Sequence, residues 1–472
     1  MISSRRKILI ASTALPLIAT AVRAAGVVTI SVDSSRGGGM IPPDYMGLGY
    51  EISSVAIPGL LSARNTPYVQ LVKNLVRREP MSNHGVIRIG GNTSDFATYD
   101  AKGMPVSSPK ASVVTEANLT ELRSFLDALD WGLIWGLNLG SDKLDNAVEE
   151  ARSVARIMKG RLTAFEVGNE PDLFGRAGHR PADYNYDAWL KEYRRYKAAV
   201  RAAVPGAPFA GPDLAGAADW MTRFARDEGG DVALLTAHHY VTGKDKPDAT
   251  GATLLAQDKK FTGSLATFRK AARAAGKPWR MVETNSFYGG GKDGVSNTYA
   301  AALWALDYLF VLAGYGCTGV NMETGVNHLG KISYYTPIGD DLKGTYAAAP
   351  EYYGLLAFAQ IGQGDLLPVQ CQTDGMNLTA YAVRKGRELC VAVINRDAQE
   401  TDAAIRVSGH TRGRCMRLTG PALSAKDGVM LGGVAVAADG SWTGAKYEPV
   451  RVANDSASLH VPAGSAALVW LS

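Results

Sequence analysis

At 472 residues the chain is too long for one ordinary compact domain and suits a barrel of ~250 residues with a satellite domain. Hydrophobic residues make up 46% and charged ones 20%, which excludes a disordered or fibrous chain and allows a large core. The net charge of +5 does not argue for nucleic acid, because Arg5, Arg6, Lys7 and Arg23 carry the excess and the remaining 46 basic residues face 45 acidic ones.

Residues 1–24 read as a signal peptide: a basic start at Arg5, Arg6 and Lys7, an apolar run over 8–22, and Val22-Arg23-Ala24 at the cleavage position. Ser12, Thr13 and Pro16 interrupt that run, which argues against a membrane anchor. Ser4-Arg5-Arg6-Lys7 also matches a twin-arginine export signal, beside an ordinary secretory one. The expectation is a periplasmic or secreted protein that touches no membrane once the signal is removed. Residues 25–43 hold a β-like run at 27–32 that is expected to join the C-terminal sheet.

From 44 to 362 the chain alternates short apolar runs with longer helical patterns. The runs are 46–51, 86–92, 133–139, 165–170, 208–214, 234–240, 279–285 and 319–323. Between them, stretches such as 68–78, 119–130, 147–159, 188–204 and 299–313 repeat apolar residues three and four apart, as one face of a helix requires. Near-continuous apolar strands suit a parallel sheet covered by helices, and eight units predict a closed (β/α)8 barrel. A dinucleotide-binding sheet is the rival, but neither Gly90-Gly91-Asn92 nor Gly289-Gly290-Gly291-Lys292 has a phosphate-binding spacing. Residues 363–472 change texture. Runs at 379–384, 389–395, 403–407, 415–419 and 466–471, punctuated by Gly, Pro and Asx, predict an antiparallel β-sandwich. Cys317, Cys371, Cys390 and Cys415 match no zinc spacing and read mostly as buried thiols.

Barrel enzymes place their chemistry at the C-terminal ends of strands. Here those ends are polar: Glu51, Arg88 and Asn92, Asn138, Asn169-Glu170-Pro171, His238-His239-Tyr240, Glu283-Thr284-Asn285 and Glu323. Two are sharp. Glu170 follows an apolar strand and precedes Pro171, which is expected to hold it on extended backbone; Glu283 ends Trp279-Arg280-Met281-Val282-Glu283 in the same way. Carboxylates on strands four and seven would face each other over the mouth, and glycoside hydrolysis needs such a pair. A lone Glu after a strand is usually a solvated loop group, so Glu323 or Glu51 alone carries little, and Glu166 reads as a structural partner. The residues call for no cofactor, and a metal would need more ligands than are visible. A serine hydrolase is excluded by the lack of a Gly-x-Ser-x-Gly elbow, and a dead carbohydrate-binding barrel is disfavoured by the two carboxylates.

Asn169-Glu170-Pro171 with Glu283 resembles the retaining barrel glycosidases. Four further segments resemble the β-glucuronidase and heparanase family, glycoside hydrolase family 79: Arg88 to Asp95, His238-His239-Tyr240, Glu283 to Gly291, and Val461-Pro462-Ala463-Gly464-Ser465. The resemblance implies Glu170 as acid/base, Glu283 as nucleophile, and Asn169 on the sugar's 2-hydroxyl. It implies a uronate carboxylate held by the backbone N–H groups of Gly289 and Gly290 and by a tyrosine, for which Tyr334 and Tyr335 are candidates. Glu51 and Asp95 would bind the outer hydroxyls, Tyr240 and Tyr288 would flank the site, and His238 and His239 would hydrogen-bond around Glu283. After Glu323 the chain departs from the family pattern, reading Thr324-Gly325-Val326-Asn327-His328-Leu329. The expected substrate is a glucuronic-acid-containing oligosaccharide or polysaccharide. The leading expectation is exo-acting β-glucuronidase activity; the alternative is an endo-acting, heparanase-like enzyme on a sulfated glycosaminoglycan. The segment 96–115 is long enough to close the site beyond one sugar. Clustered cations for sulfates are confined to Arg77-Arg78 and to Arg194-Arg195-Tyr196-Lys197 on outer helices, which favours exo action.

Overall fold

The computed structural model describes residues 27–76, 85–325, 332–341 and 343–472, so the signal-peptide reading, Arg77-Arg78 and 326–329 lie outside the described residues. Eight parallel strands form the central sheet. In chain order they are Met46–Glu51, Val86–Gly90, Gly132–Leu137, Leu162–Val167, Ala210–Leu214, Leu234–Gly243, Trp279–Tyr288 and Val320–Glu323. The first pairs with both the second and the eighth. The fourth and fifth meet through a bridge between Phe165 and Phe209 and a bond from the Phe165 N–H to the Pro208 carbonyl of 2.9 Å. The sheet therefore closes on itself as a (β/α)8 barrel.

Helices cover the barrel where apolar periodicity predicts them, and local chemistry starts and stops them. Thr115 and Asn118 form a reciprocal cap at the start of Glu116–Leu129, Asn185 caps Tyr186–Ala203, and Asp258 caps Lys259–Ala275, which ends at left-handed Gly276. The helix Tyr299–Gly314 departs from the one-sided pattern expected at 299–313 and is buried almost all round. The reason is a second cover: Pro350–Ile361 packs along it, and its Tyr299 hydroxyl donates to the Leu418 carbonyl of the C-terminal sheet at 2.8 Å. A helix covered on both sides has no polar face to show.

The second sheet has 12 strands and is mainly antiparallel. The N-terminal strand Val28–Val32 enters it between Val369–Gln372 and Thr401–Arg406, and Gly39–Ile41 pairs with Gly364–Leu367. Alternate residues of these strands build a core separate from the barrel's, including Ile30, Val391, Ile405 and Val469. None of the four cysteines is joined in a disulfide, and three of them are buried.

Candidate active site

The strand ends converge on a cleft of about 1020 Å³ at the C-terminal mouth of the barrel. Its floor is organised by Arg88, a fully buried arginine on the second strand. Arg88 Nε donates to Glu166 at 3.0 Å, Nη1 to Glu283 Oε2 at 2.7 Å, and Nη2 to Asp213 Oδ2 at 2.7 Å and Asn169 Oδ1 at 3.0 Å. A guanidinium is a planar fork with five donors, so one residue fixes side chains from strands four, five and seven. Glu166 is the structural partner expected; burial and the nearby Asp213 push its carboxyl up to about 8.

Glu283 has both oxygens engaged, Oε2 by Arg88 and Oε1 by the Tyr240 hydroxyl at 2.9 Å. Glu170 lies opposite. The nearest carboxylate oxygens of Glu170 and Glu283, with a ring nitrogen of His238, lie within 4.8 Å of one another. Glu170 is not on extended backbone as expected. Its φ of 52° and ψ of 53° are left-handed. Pro171 does exclude the right-handed helical region, but the Glu170 N–H is drawn to the Asp213 carbonyl of the next strand at 3.0 Å, and that bond selects the left-handed alternative. Burial raises the Glu170 carboxyl above its ordinary range, the hydrogen bond and charge of His238 pull it back, and Glu283 pushes it up again. His238 Nδ1 is 3.1 Å from Glu170 Oε1 and its Nε2 is 2.6 Å from Asp213 Oδ1. With both ring nitrogens so engaged, His238 offers no lone pair to a metal, and two carboxylates alone make a poor cation site.

Glu51 lines the cleft and accepts from the Thr93 N–H at 2.7 Å, the Thr93 hydroxyl at 2.6 Å and the Asn92 N–H at 3.2 Å. Burial and the charge of Glu283 push it up to about 7. Gly91, at a φ of 74°, makes room for it, since a Cβ there would fall 2.4 Å from its carboxyl. Tyr288, Gly289, Gly290, Tyr334 and Tyr335 form the opposite wall. The Gly290 carbonyl accepts from the Tyr334 N–H at 2.6 Å, which ties the glycine run to the tyrosine pair. Asn169 stands at the floor between Arg88 and Asn92.

Two expected residues stand elsewhere. Asp95 does not reach the cleft: its buried carboxylate accepts the backbone N–H groups of Leu139 at 3.1 Å, Gly140 at 2.8 Å and Asn169 at 2.9 Å. It braces the loops after strands three and four, because the short 3-10 turn Ser94–Phe96 aims it sideways under the mouth. His239 points out of the barrel. Its ring stacks on Phe261 at 3.6 Å, its Nδ1 is 3.0 Å from the Tyr308 hydroxyl, and burial lowers its pKa to about 3. It lines a separate cavity of about 500 Å³ between the barrel helices and the small domain. Neighbours in a strand face opposite ways, so with His238 turned inward His239 has no route to Glu283.

Sequence reasoning missed Asp213 and the organising role of Arg88, and it undervalued Glu323, a buried carboxyl that lines the cleft without a hydrogen-bond partner among the described residues. Burial and the adjacent Glu283 and Glu51 hold Glu323 well above the carboxylate range, hence neutral. The signal was present: a charged residue inside an apolar barrel strand is too costly to bury without a partner.

No family model matches the chain. It is 28% identical over 377 residues to a β-glucuronidase of Aspergillus niger, covering 71% of this chain and 68% of that protein. It is 29% identical over 220 residues to a heparanase of Mus musculus, covering 44% of this chain and 40% of that protein. A solved 4-O-α-L-rhamnosyl-β-D-glucuronidase of Fusarium oxysporum superposes with a TM-score of 0.77 at 21% identity, over 93% of this chain and 99% of that one, which establishes the shared fold.

Proposed function

We propose that this chain is a retaining glycoside hydrolase of the β-glucuronidase and heparanase family and that it removes terminal β-linked glucuronic acid by double displacement. The observation that carries the reading is the pair Glu170 and Glu283, with oxygens within 4.8 Å at the mouth of a barrel. Retaining enzymes hold their carboxyls ~5–5.5 Å apart, whereas inverting ones leave ~6.5–9.5 Å for a water. The relative from Aspergillus niger bears the name β-glucuronidase, in keeping with the resemblance carried by the residues.

In this reading Glu283 attacks the anomeric carbon, held in place by Arg88 and Tyr240, while Glu170, raised by burial, protonates the departing oxygen. The resulting glycosyl–Glu283 ester is cleaved by water, whose proton Glu170 accepts. Asn169 and Glu51 bind hydroxyls of the terminal sugar. The Gly289 and Gly290 amides and a tyrosine, Tyr334 or Tyr335, receive the uronate, since positive-φ glycines let backbone N–H groups close on an anion. Exo action is favoured by the cleft's composition: among its described residues only Arg176 and Lys244 are cations, too few for a run of sulfates, and Pro109 of the 96–115 segment stands at its rim. The basic and apolar pattern of residues 1–24 supports export to the periplasm or beyond.

Aryl β-glucuronide, β-glucoside and β-xyloside assayed side by side test the substrate class. Preference for a neutral sugar would sink the uronate assignment. Glu283→Ala is expected to abolish turnover, and Glu170→Ala to spare slow cleavage of substrates with good leaving groups. Unaltered rates in both variants would remove the mechanism.

A further inference from the structure

We propose that Asp213 and His238 form a charge-holding pair that positions Glu170 and turns it from acid to base between the two halves of the reaction. The inference rests on the retaining reading above.

Asp213 grips Glu170 twice. Its backbone carbonyl accepts the Glu170 N–H at 3.0 Å, and its Oδ1 lies 2.6 Å from the His238 nitrogen whose partner nitrogen reaches Glu170 Oε1 at 3.1 Å. Its remaining oxygen is anchored by Arg88 at 2.7 Å. The residue takes up a φ of 60° at the end of the fifth strand, a left-handed conformation that an ordinary strand residue avoids.

Both ring nitrogens of His238 thus face carboxylate oxygens. A neutral imidazole has one N–H donor and an imidazolium has two, so the geometry calls for the charged ring. The other charged groups around it favour the same state. Burial favours the neutral forms of Glu166 and Glu323 beyond it, so the carboxylates that face the ring are Asp213 and Glu283, the latter 3.8 Å away, against Arg88 at 3.4 Å, the one cation beside it among the described residues. These carboxylates hold His238 well above its usual pKa in spite of burial.

Two consequences follow for Glu170. Oε1 is occupied by the Nδ1–H, so Oε2 is the oxygen that delivers and later collects the proton. The charges facing Glu170 are His238, Glu283 and Asp172, and they oppose one another: both acids raise its pKa and the imidazolium lowers it. In the first half-reaction Glu283 forms a bond to the anomeric carbon, the glycosidic bond breaks, and the Glu170 proton leaves with the departing oxygen. The charge of Glu283 is then gone. His238 now faces Glu170 without that competitor and keeps it ionised until water attacks the anomeric carbon, the ester bond breaks back to Glu283 carboxylate, and Glu170 takes the water's proton.

Asp213→Asn removes the charge that holds the imidazolium and suits the left-handed backbone, which asparagine tolerates. With an aryl β-glucuronide whose aglycone departs fast, the acid limb of kcat is expected to move up by about one pH unit, roughly a tenfold loss along the limb. Covalent glycosyl-enzyme should accumulate in intact-protein mass spectra. Rates that fall uniformly, with unmoved limbs and no adduct, would reduce Asp213 to a structural role and overturn the proposal. His238→Gln should move the limb in the same direction and serves if Asp213→Asn does not fold. Independently of any substrate, ¹⁵N spectra of histidine-labelled wild-type protein should show one ring that stays imidazolium through neutral pH. A ring that titrates normally overturns the proposal even with the glucuronidase reading intact. A persistent imidazolium in a protein that spares glucuronides would instead fault the substrate reading alone.

Discussion

Asp95 and Glu51 are both carboxylates near one mouth, and their surroundings separate their tasks. Asp95 satisfies three backbone N–H groups, and Asp95→Ala would leave the amides of Leu139, Gly140 and Asn169 without an acceptor. At ~1–3 kcal/mol for each stranded donor, a loss of about 3 kcal/mol or more is expected in urea unfolding. Glu51→Gln keeps an acceptor for Thr93 and should raise KM for an aryl β-glucuronide with little change in Tm; the reverse pattern in the two variants would exchange their roles. Glu150 reports on pH. Buried on helix Leu144–Ile157 and bonded to Trp135 Nε1 at 3.2 Å, its carboxyl is pushed up to about 8 by burial. The folded chain keeps that proton up to about pH 8, whereas the unfolded chain releases it near the ordinary 4.5, so stability falls as pH rises between the two values. Glu51, Asp95 and Glu166 are displaced in the same direction. Glu150→Gln is expected to flatten the slope and add on the order of 2 kcal/mol on the alkaline side. Melts at mildly acid and mildly alkaline pH check this, and an undiminished slope would clear Glu150 of the effect.

The sixth barrel strand, Leu234–Gly243, shows how a strand can be located from sequence while its facing is not. Its polar end was legible in His238-His239-Tyr240, because such residues do not belong in an apolar run. Which of them turn inward depends on parity, which is fixed only when Leu234 enters the barrel interior; the extra residue in the pairing with the seventh strand, Val282, lies on that strand and shifts Glu283, not the histidines. A one-residue slip there exchanges the faces of everything that follows. The structure turns His238 and Tyr240 to the carboxylates and His239 to Phe261 and Tyr308. His239→Phe is therefore expected to hold kcat/KM within about twofold of wild type while shifting Tm. A large rise in KM would return His239 to the substrate site. The helix Tyr299–Gly314 teaches the same point, since its apolar residues announced a helix and only the second cover revealed why no face is polar.

The barrel and the small domain are tied by a buried ionic cluster. Asp307 on that helix accepts from Thr379 at 2.5 Å and Tyr381 at 2.8 Å on the C-terminal sheet and from Arg396, just past the strand Glu388–Asn395, at 2.8 Å. Asp307→Ala strands a buried guanidinium, and breaking such a pair costs about 3–5 kcal/mol. Calorimetry of the wild type should show one cooperative transition, displaced to lower temperature in the variant. Two separated transitions in the wild type would contradict a tied pair of domains.

Eight β/α alternations, a β-rich tail and two glutamates after apolar strands were all legible along the chain, since helix and strand periods, caps and misplaced charges are local properties of neighbouring residues. Ring closure decided the rest. Arg88 and Glu283 meet across 195 positions and Asp95 and Asn169 across 74, separations over which no local pattern reports. Asp213 became the brace of Glu170, and Asp95 a loop brace instead of a sugar ligand, only when strands four, five and six stood side by side. Hydrogen bonding and desolvation act on the groups that folding brings within a few ångströms, and that neighbourhood, more than residue type, decides what each carboxylate can do.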